Sequence, residues 1–412
     1  MKILWLSHIV PYPPKAGLLL RAYNMIKELS QEHEIDLIAF NQKNLMNTYF
    51  KDIEQGLAES KKVLSQYCNI LDIVDIESDK STTHKILLAL KSLVTKDPYT
   101  INWLKSKTYA QAVSKAIQDQ SYDIVHFDTI SLHPFKHLVG QSHTILDHHN
   151  VESDLLLRRA TIETNVLKKF YYRQEGNRLQ TYEKSVCPEY SLNITCSKLD
   201  TERFNQFIDN IEMVDIPNGV DIDFFKPEHG SDANNKSLIF AGTLDWYPNK
   251  LAVEFLVHEI WPALCKKEND IHLYIVGSNP ATDLVEFANK NSNITVTGFV
   301  DDVRPYIDSA SVYVCPIKDG GGTKLKILDA LAMGKAIVAD PIAVEGIDIT
   351  HTHDGYLASS VEEYVSAISR LLHDKTERRK LETNARILAE NKYAYSMLGK
   401  NLRNLYSNLV NK

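Results

Sequence analysis

The sequence predicts an α/β protein built from two doubly wound domains with mainly parallel sheets, and three observations carry that reading. Short apolar runs rich in β-branched residues alternate with longer amphipathic stretches, as βαβ units do. The alternation stops at a polar, turn-rich stretch without periodicity, KPEHGSDANNK (Lys226–Lys236), and then starts again. The chain's 412 residues also exceed what one hydrophobic core usually serves.

In the first half the runs that predict strands are Ile3–Ser7, Ile35–Phe40, Ile70–Val74, Ile124–Phe127, Thr144–Asp147, Leu192–Thr195 and Val214–Ile216. The second half supplies Ser237–Ala241, His272–Val276, Ile294–Thr297, Ser311–Cys315 and Ala336–Ala339. A glycine follows the opening strand of each half: Gly17 after the proline loop PYPPK, and Gly242 at the end of SLIFAG. Open α/β sheets bind ligands beyond the carboxyl ends of their strands, so two facing domains with a crevice at those ends are expected. The predicted boundaries are 1–218 for the first domain, 219–236 for a linker and 237–393 for the second domain. Residues 394–412 form a helix returning to the first domain, because Met397, Leu398, Leu402, Leu405, Tyr406 and Leu409 keep helical spacing. A long helical region, Val361–Asn391, precedes it.

Composition narrows the function. Hydrophobic residues make up 44% of the chain, an ordinary globular share, and the net charge of −7 argues against a protein that coats nucleic acid. The five cysteines (Cys68, Cys187, Cys196, Cys265 and Cys315) are scattered and read as free thiols of a reducing compartment. The opening MKILWLSHIVPYPPK reads as a buried strand and not a targeting segment. No apolar run approaches the roughly 20 residues a bilayer span needs, so a cytoplasmic protein is expected. The stretch His84–Lys107 mixes lysines with leucines and Trp103: it suits a peripheral contact with the inner face of a membrane or an ordinary amphipathic helix pair.

The chemistry concentrates in DGGGTKLKILDALAMG, residues 319 to 334. Consecutive glycines before a helix start allow backbone N–H groups to approach an anion. With Thr323 opening the helix, Lys326 and Asp329 lie three apart on one face, and Leu325, Leu328 and Ala332 form the buried stripe. That face offers a cation for phosphate and a carboxylate for sugar hydroxyls, or alternatively a plain salt bridge. A Walker loop is excluded by the order Thr323-Lys324, and a dinucleotide fingerprint by leucine at 325.

IPNGVDIDFFKP (Ile216–Pro227), FAGTLDWYPN (Phe240–Asn249), the block Val296–Asp340 and AVEGI (Ala343–Ile347) resemble successive blocks of the retaining glycosyltransferases of family 4. PYPPKAGLLLR (Pro11–Arg21) and DHHNVES (Asp147–Ser153) are more loosely similar to the same family. The resemblance implies the GT-B fold of two Rossmann-like domains and transfer of a sugar from a nucleotide diphosphate-sugar, UDP- or GDP-linked, to a hydroxyl of a glycan or lipid-linked acceptor. It points to cell-surface polysaccharide or glycoconjugate synthesis. It places Asp329 at the donor ribose and Lys326, with Lys324, at the diphosphate, where Gly320, Gly322 and Thr323 provide the backbone cradle. Gly242 and Thr243 stand in the block where the family often has a phosphate-binding arginine. Gly298, Phe299 and Val300 resemble the loop framing the nucleobase. Gly321 stands where many members carry a glutamate facing the donor sugar, a role left to Asp319 or Glu345. Other readings of these residues are an epimerase or hydrolase of nucleotide sugars, and a non-catalytic binding protein.

In the first half, Gly17 lets the loop after strand one approach the donor or acceptor, or is a plain turn glycine. The resemblance places His149 near the reacting sugar carbon, where imidazole could orient a hydroxyl or stabilise charge; Glu152 and Arg158 are weaker candidates on the following helix. His351–Asp354 (HTHD) has no partner cluster at zinc spacing and reads as a solvated turn. No acidic cluster suggests a metal, so neither a metal nor any other cofactor is expected. A lysine and helix-end amides would neutralise the departing diphosphate instead.

Overall fold

The computed structural model describes every residue except 16, 78–80, 229–235, 321 and 412, and the side chain of Thr82. The chain divides into two compact units, Met1–Pro217 with Gly399–Lys412, and Asn218–Leu398. Of the stretch expected to be a linker, residues 219–228 belong to the second unit and 229–235 lie outside the described residues.

The first unit carries strands β1 (Lys2–Ser7), β2 (Glu34–Asn41), β3 (Asn69–Asp75), β4 (Ile124–Phe127), β5 (His143–His148), β6 (Leu192–Thr195) and β7 (Met213–Asp215). They form one sheet in the order β3-β2-β1-β4-β5-β6-β7, and every pair is parallel. Alternate residues of β1 feed two cores: Leu4 and Leu6 pack on one face of the sheet, Ile3 and Trp5 on the other. This is why the strand reads as an unbroken apolar run instead of an alternating one. The helix Tyr395–Val410 starts in the second unit, and its residues from Gly399 onward belong to the first. There Leu402, Tyr406 and Leu409 join the core containing Ile3 and Trp5, and the Tyr406 hydroxyl lies 2.6 Å from His126 Nδ1.

The second unit carries β8 (Lys236–Ala241), β9 (Ile271–Val276), β10 (Ile294–Val296), β11 (Val312–Cys315), β12 (Ala336–Ala339) and β13 (Tyr356–Leu357), ordered β10-β9-β8-β11-β12-β13 and again parallel. Strand order reverses between β1 and β4 in the first unit and between β8 and β11 in the second. Such reversals open the crevice that open α/β sheets use for ligands.

Three local expectations need correcting. The helix after the glycines runs from Leu325 to Ala332 with Lys324 as its first flanking residue, so Thr323 does not open it. Gly322 at φ +67° and the extended Lys324 (φ −81°, ψ 93°) hold the chain out of helical geometry until Leu325. The buried side of this helix is also wider than the predicted stripe: Ile327, Leu328, Ala330, Leu331 and Ala332 are buried, whereas Leu325 is half-buried. Finally, Val361–Asn391 is two helices, Val361–His373 and Lys375–Leu388, because the Asp374 side chain caps the second by accepting from the Glu377 N–H.

Candidate active site

In the second unit, Gly242 follows β8 directly, and the helix Leu325–Ala332 leads from β11 into β12. Both elements bordering the switch point therefore contribute to one cluster. Lys326 Nζ donates to Asn249 Oδ1 at 2.6 Å and lies 4.6 Å from the centre of the Phe240 ring. Asn249 is buried and held from its other end, its Nδ2 donating to the Thr243 carbonyl at 2.7 Å. A Cβ at position 242 would collide with Lys326 Nζ and stand 3.0 Å from Asn249 Nδ2, so only glycine lets the ammonium sit there.

Asp329 shares the solvent-facing side of the helix with Lys326, and both are half-buried. Its carboxylate accepts no hydrogen bond from a described residue, and no direct Lys326–Asp329 ion pair forms. Burial lifts the Asp329 carboxyl to about 7, opposed by the nearby Lys326 charge. Burial likewise lowers the Lys326 ammonium to about 8, against the nearby Cys315 and Asp329. The pair is an amine and a carboxyl on one side of a helix, each short of partners and each with its charged form disfavoured by burial. Interactions with an incoming ligand are stronger there than in water.

The glycine loop is fixed beside it. Lys324 Nζ donates to the carbonyls of Gly320 (2.6 Å) and Gly322 (3.1 Å), so this lysine closes the loop on itself. The Gly320 N–H donates to Asp319 Oδ1 at 2.6 Å, and Gly320 adopts φ +106°. A Cβ there would also stand 3.2 Å from Pro248 Cγ, which brings the loop against the segment that carries Asn249. Lys324, the residue flanking the start of the helix Leu325–Ala332, makes no side-chain cap bond to its first N–H groups. Thr323 Oγ1 is buried without a partner among the described residues. Gly321, singled out in the sequence, lies outside the described residues.

The other predicted positions spread around this cluster. The Gly298 carbonyl accepts from the Gly277 N–H at 3.2 Å, and Gly277 packs onto the Gly242 carbonyl, so the loop after β10 adjoins the loop after β8. Phe299 is exposed, and Val300 packs against the unit's core. Thr243 is exposed and contributes its carbonyl to Asn249. Glu345 follows the short turn Pro341–Val344 and is half-buried. The HTHD stretch forms a closed turn: Asp354 accepts from the Thr350 N–H and from His353, and His351 Nδ1 accepts from the Leu357 N–H.

In the first unit, three residues each stand one position past a strand end: His8 after β1, Asp128 after β4 and His149 after β5. His8 Nδ1 and His149 Nε2 each lie 3.0 Å from Asp128, on Oδ2 and Oδ1 respectively, and the Ser7 hydroxyl donates to Oδ2 at 2.8 Å. Burial opposes ionisation of Asp128, but the charges and hydrogen bonds of His8 and His149 outweigh it and hold its carboxyl well below the ordinary range. For His149 burial opposes the charge, yet the Asp128 bond and charge win and its pKa is raised. An ionised Asp128 accepts from Nε2–H, so the free nitrogen of His149 is Nδ1. Next to it Arg21 forms a bidentate pair with Asp147, at 2.8 and 2.7 Å.

The sequence singles out His149 but not His8 and Asp128, which the structure places against it. The available signal was positional: each is the first residue after a buried apolar strand, and the strands they follow are neighbours at the switch point. Among the described residues the ligand atoms of His8, Asp128 and His149 lie close enough to share a metal ion, as do those of His126, Asp128 and Asp147. Asp128 is already engaged by both imidazoles, and Asp147 by Arg21. The helix Glu152–Ile162 follows: burial raises the Glu152 carboxyl, and Arg158 pairs with Asp154 at 3.0 Å. Gly17 is exposed at the start of the helix Gly17–Leu29.

Two parallel-sheet α/β units, each with polar residues gathered at its switch point, have the architecture of the GT-B fold. Residues 235–374 match the family model described as Glycosyl transferases group 1, a span that lies within the second unit and contains its strands β8 to β13. A 44.6 kDa protein of the cps region of Klebsiella pneumoniae, itself uncharacterized, is 23% identical over 361 residues, 85% of either chain. The phosphatidyl-myo-inositol mannosyltransferase of Mycobacterium tuberculosis is 30% identical over 137 residues, 32% of this chain and 35% of that protein. Among solved structures, HepE of Anabaena in complex with UDP and glucose superposes with a TM-score of 0.64 at 13% identity, covering 99% of this chain and 100% of that one. At that identity the likeness is one of fold.

Proposed function

We propose that this chain is a retaining glycosyltransferase of the family 4 type that moves a sugar from a UDP- or GDP-linked donor to a hydroxyl of a glycan or lipid-linked acceptor. The observation that carries the proposal is the Lys326–Asp329 pair: an ammonium and a carboxylate on one helix face at the switch point, both short of partners. A nucleotide diphosphate-sugar presents the complementary groups, a polyanion beside a diol. Lys326 and the first helix N–H groups would bind the diphosphate, and Asp329 the ribose hydroxyls. HepE supports a uridine nucleotide as donor, and the cps-region relative supports a role in surface polysaccharide synthesis.

Retention of configuration rests on the family resemblance. In that chemistry the acceptor attacks the face from which the nucleotide leaves, and a donor phosphate oxygen takes the acceptor proton. The C–O bond to the nucleotide breaks, the new glycosidic C–O bond forms, and the nucleotide departs protonated or shares that proton with solvent. The protein's part is to position and to stabilise the leaving diphosphate, which Lys326 does without a divalent metal. His149, whose pKa the bond to Asp128 raises, supplies an N–H for a sugar hydroxyl or for developing negative charge when protonated.

Incubation of the chain with UDP- and GDP-sugars and a panel of hydroxyl acceptors, with EDTA present, tests the reading. A glycoside of retained anomeric configuration, identified by mass and by its anomeric proton signal, is the expected product. An altered donor sugar without glycoside would make it an epimerase, free sugar a hydrolase, and tight nucleotide binding without turnover a binding protein.

A further inference from the structure

Half of the exposed large hydrophobic side chains among the described residues fall in two short stretches of the first unit: Ile86, Leu87, Leu90 and Val94, and Ile162, Val166, Leu167 and Phe170. The helix Thr82–Ser92 buries none of its apolar side chains, although its sequence reads KILLAL at the centre. Its Leu90 is 58% exposed and Val94, one turn on, 87%. The long helix Val166–Val186 repeats the pattern at its start, where Leu167 is 81% and Phe170 67% exposed. In both helices the exposed apolar residues stand at i, i+1 and i+4, which makes one stripe on one face.

Two further facts select what covers these stripes. Basic residues flank both, Lys85 and Lys91 in the first and Lys168, Lys169 and Arg173 in the second, while residues 84–94 and 162–173 hold a single acidic residue, Glu163. This local positive excess stands out on a chain of net charge −7. The two stretches are also fastened together: Arg178 of the long helix donates to the carbonyls of Ser92 (2.5 Å), Thr95 and Asp97 (3.1 Å) just past the end of the first helix. Phe170 precedes Arg178 by eight residues, about 12 Å along the helix.

We propose that these two stripes form a docking surface for an anionic lipid bilayer. Apolar side chains enter the headgroup boundary while lysines and arginines meet lipid phosphates, the division of labour of interfacial helices. Like charge on both stripes opposes the same surface closing on a second copy of the chain. No helix among the described residues is long and apolar enough to cross a membrane, so the attachment is peripheral. The surface stands independently of the sugar-transfer reading, since binding needs no turnover.

Flotation of the full chain with vesicles tests it, using phosphatidylglycerol mixed with phosphatidylcholine against phosphatidylcholine alone. The wild-type chain floats with the anionic vesicles, and added salt weakens the binding. L87S/L90S and K168E/K169E each lower the partition constant by roughly tenfold or more. All four positions are exposed, so the melting temperatures stay those of the wild type. A wild-type chain that stays with the unbound fraction at low salt overturns the proposal, as do variants that float equally well. So does a concentration-dependent dimer in light scattering that L87S/L90S abolishes, which would make a second copy the occupant. A large drop in melting temperature in L87S/L90S would equally contradict it, because the stripe would then be core.

Discussion

Lys326 and Asp329 show how one helical turn sets opposed pKa shifts, and what those shifts predict. Burial raises the Asp329 carboxyl to about 7 and lowers the Lys326 ammonium to about 8. If donor binding needs the carboxylate ionised and the ammonium protonated, kcat/KM rises with pH through about 7 and falls through about 8, a narrow bell. The stability consequence has its own sign. The folded Asp329 holds its proton more tightly than the unfolded chain does, so its contribution is full at acid pH and is lost as pH rises through about 7. D329N should therefore melt at or above the wild-type temperature on the alkaline side while losing donor affinity, a comparison that calorimetry with and without nucleotide makes directly. The opposite case is Asp128, whose buried carboxylate is held by two imidazoles and Ser7. D128N should cost about 3 kcal/mol, because a charged histidine loses its buried partner. That loss is greatest at acid pH and shrinks as pH rises through the raised value of His149. Thermal melts at two pH values on either side of neutrality check both size and direction.

At the scale of elements, the glycine loop and the last helix differ in what fixes them. The loop is closed by side chains, Lys324 on the carbonyls of Gly320 and Gly322 and Asp319 on the Gly320 N–H. K324A should raise the donor KM by about tenfold, the worth of charge-assisted hydrogen bonds that order the cradle, with little change in melting temperature. The helix Tyr395–Val410 is instead held by core packing. Leu402→Ala should destabilise the first unit by about 2–4 kcal/mol, measured by chemical denaturation, because Leu402 is buried among Ile3, Trp5 and Tyr406. These elements also show where the sequence was readable. Parallel strands buried on both faces give continuous apolar runs, as in β1, β4, β8, β11 and β12, whereas β13 is two residues long and gives no periodicity. The Lys326–Asp329 pair was readable because helical spacing is local. The His8–Asp128–His149 group was not, because its members lie 120 and 21 residues apart and only the pairing of β1, β4 and β5 assembles them. Asn249 was missed for the same reason: its bond to Lys326 spans 77 residues.

At the scale of the whole molecule, each unit repeats one plan, a parallel sheet whose strand order reverses at its centre with polar residues gathered at the carboxyl ends. The second unit gathers an ammonium, a carboxylate and the first N–H groups of a helix; the first gathers two imidazoles around a buried carboxylate. On the proposed function, the second unit binds the donor's anion and the first supplies proton-bearing groups, with Lys326 the central residue. Its ammonium has one neutral hydrogen-bond partner, Asn249, and no carboxylate within ion-pair distance among the described residues. The most direct measurement is steady-state turnover of UDP- and GDP-sugars by the wild-type chain and by K326A, with melting curves for both. The account predicts a loss in kcat of roughly a hundredfold or more, the size expected when a stabiliser of the leaving group is removed, with the fold intact. Wild-type turnover by a folded K326A chain would contradict it.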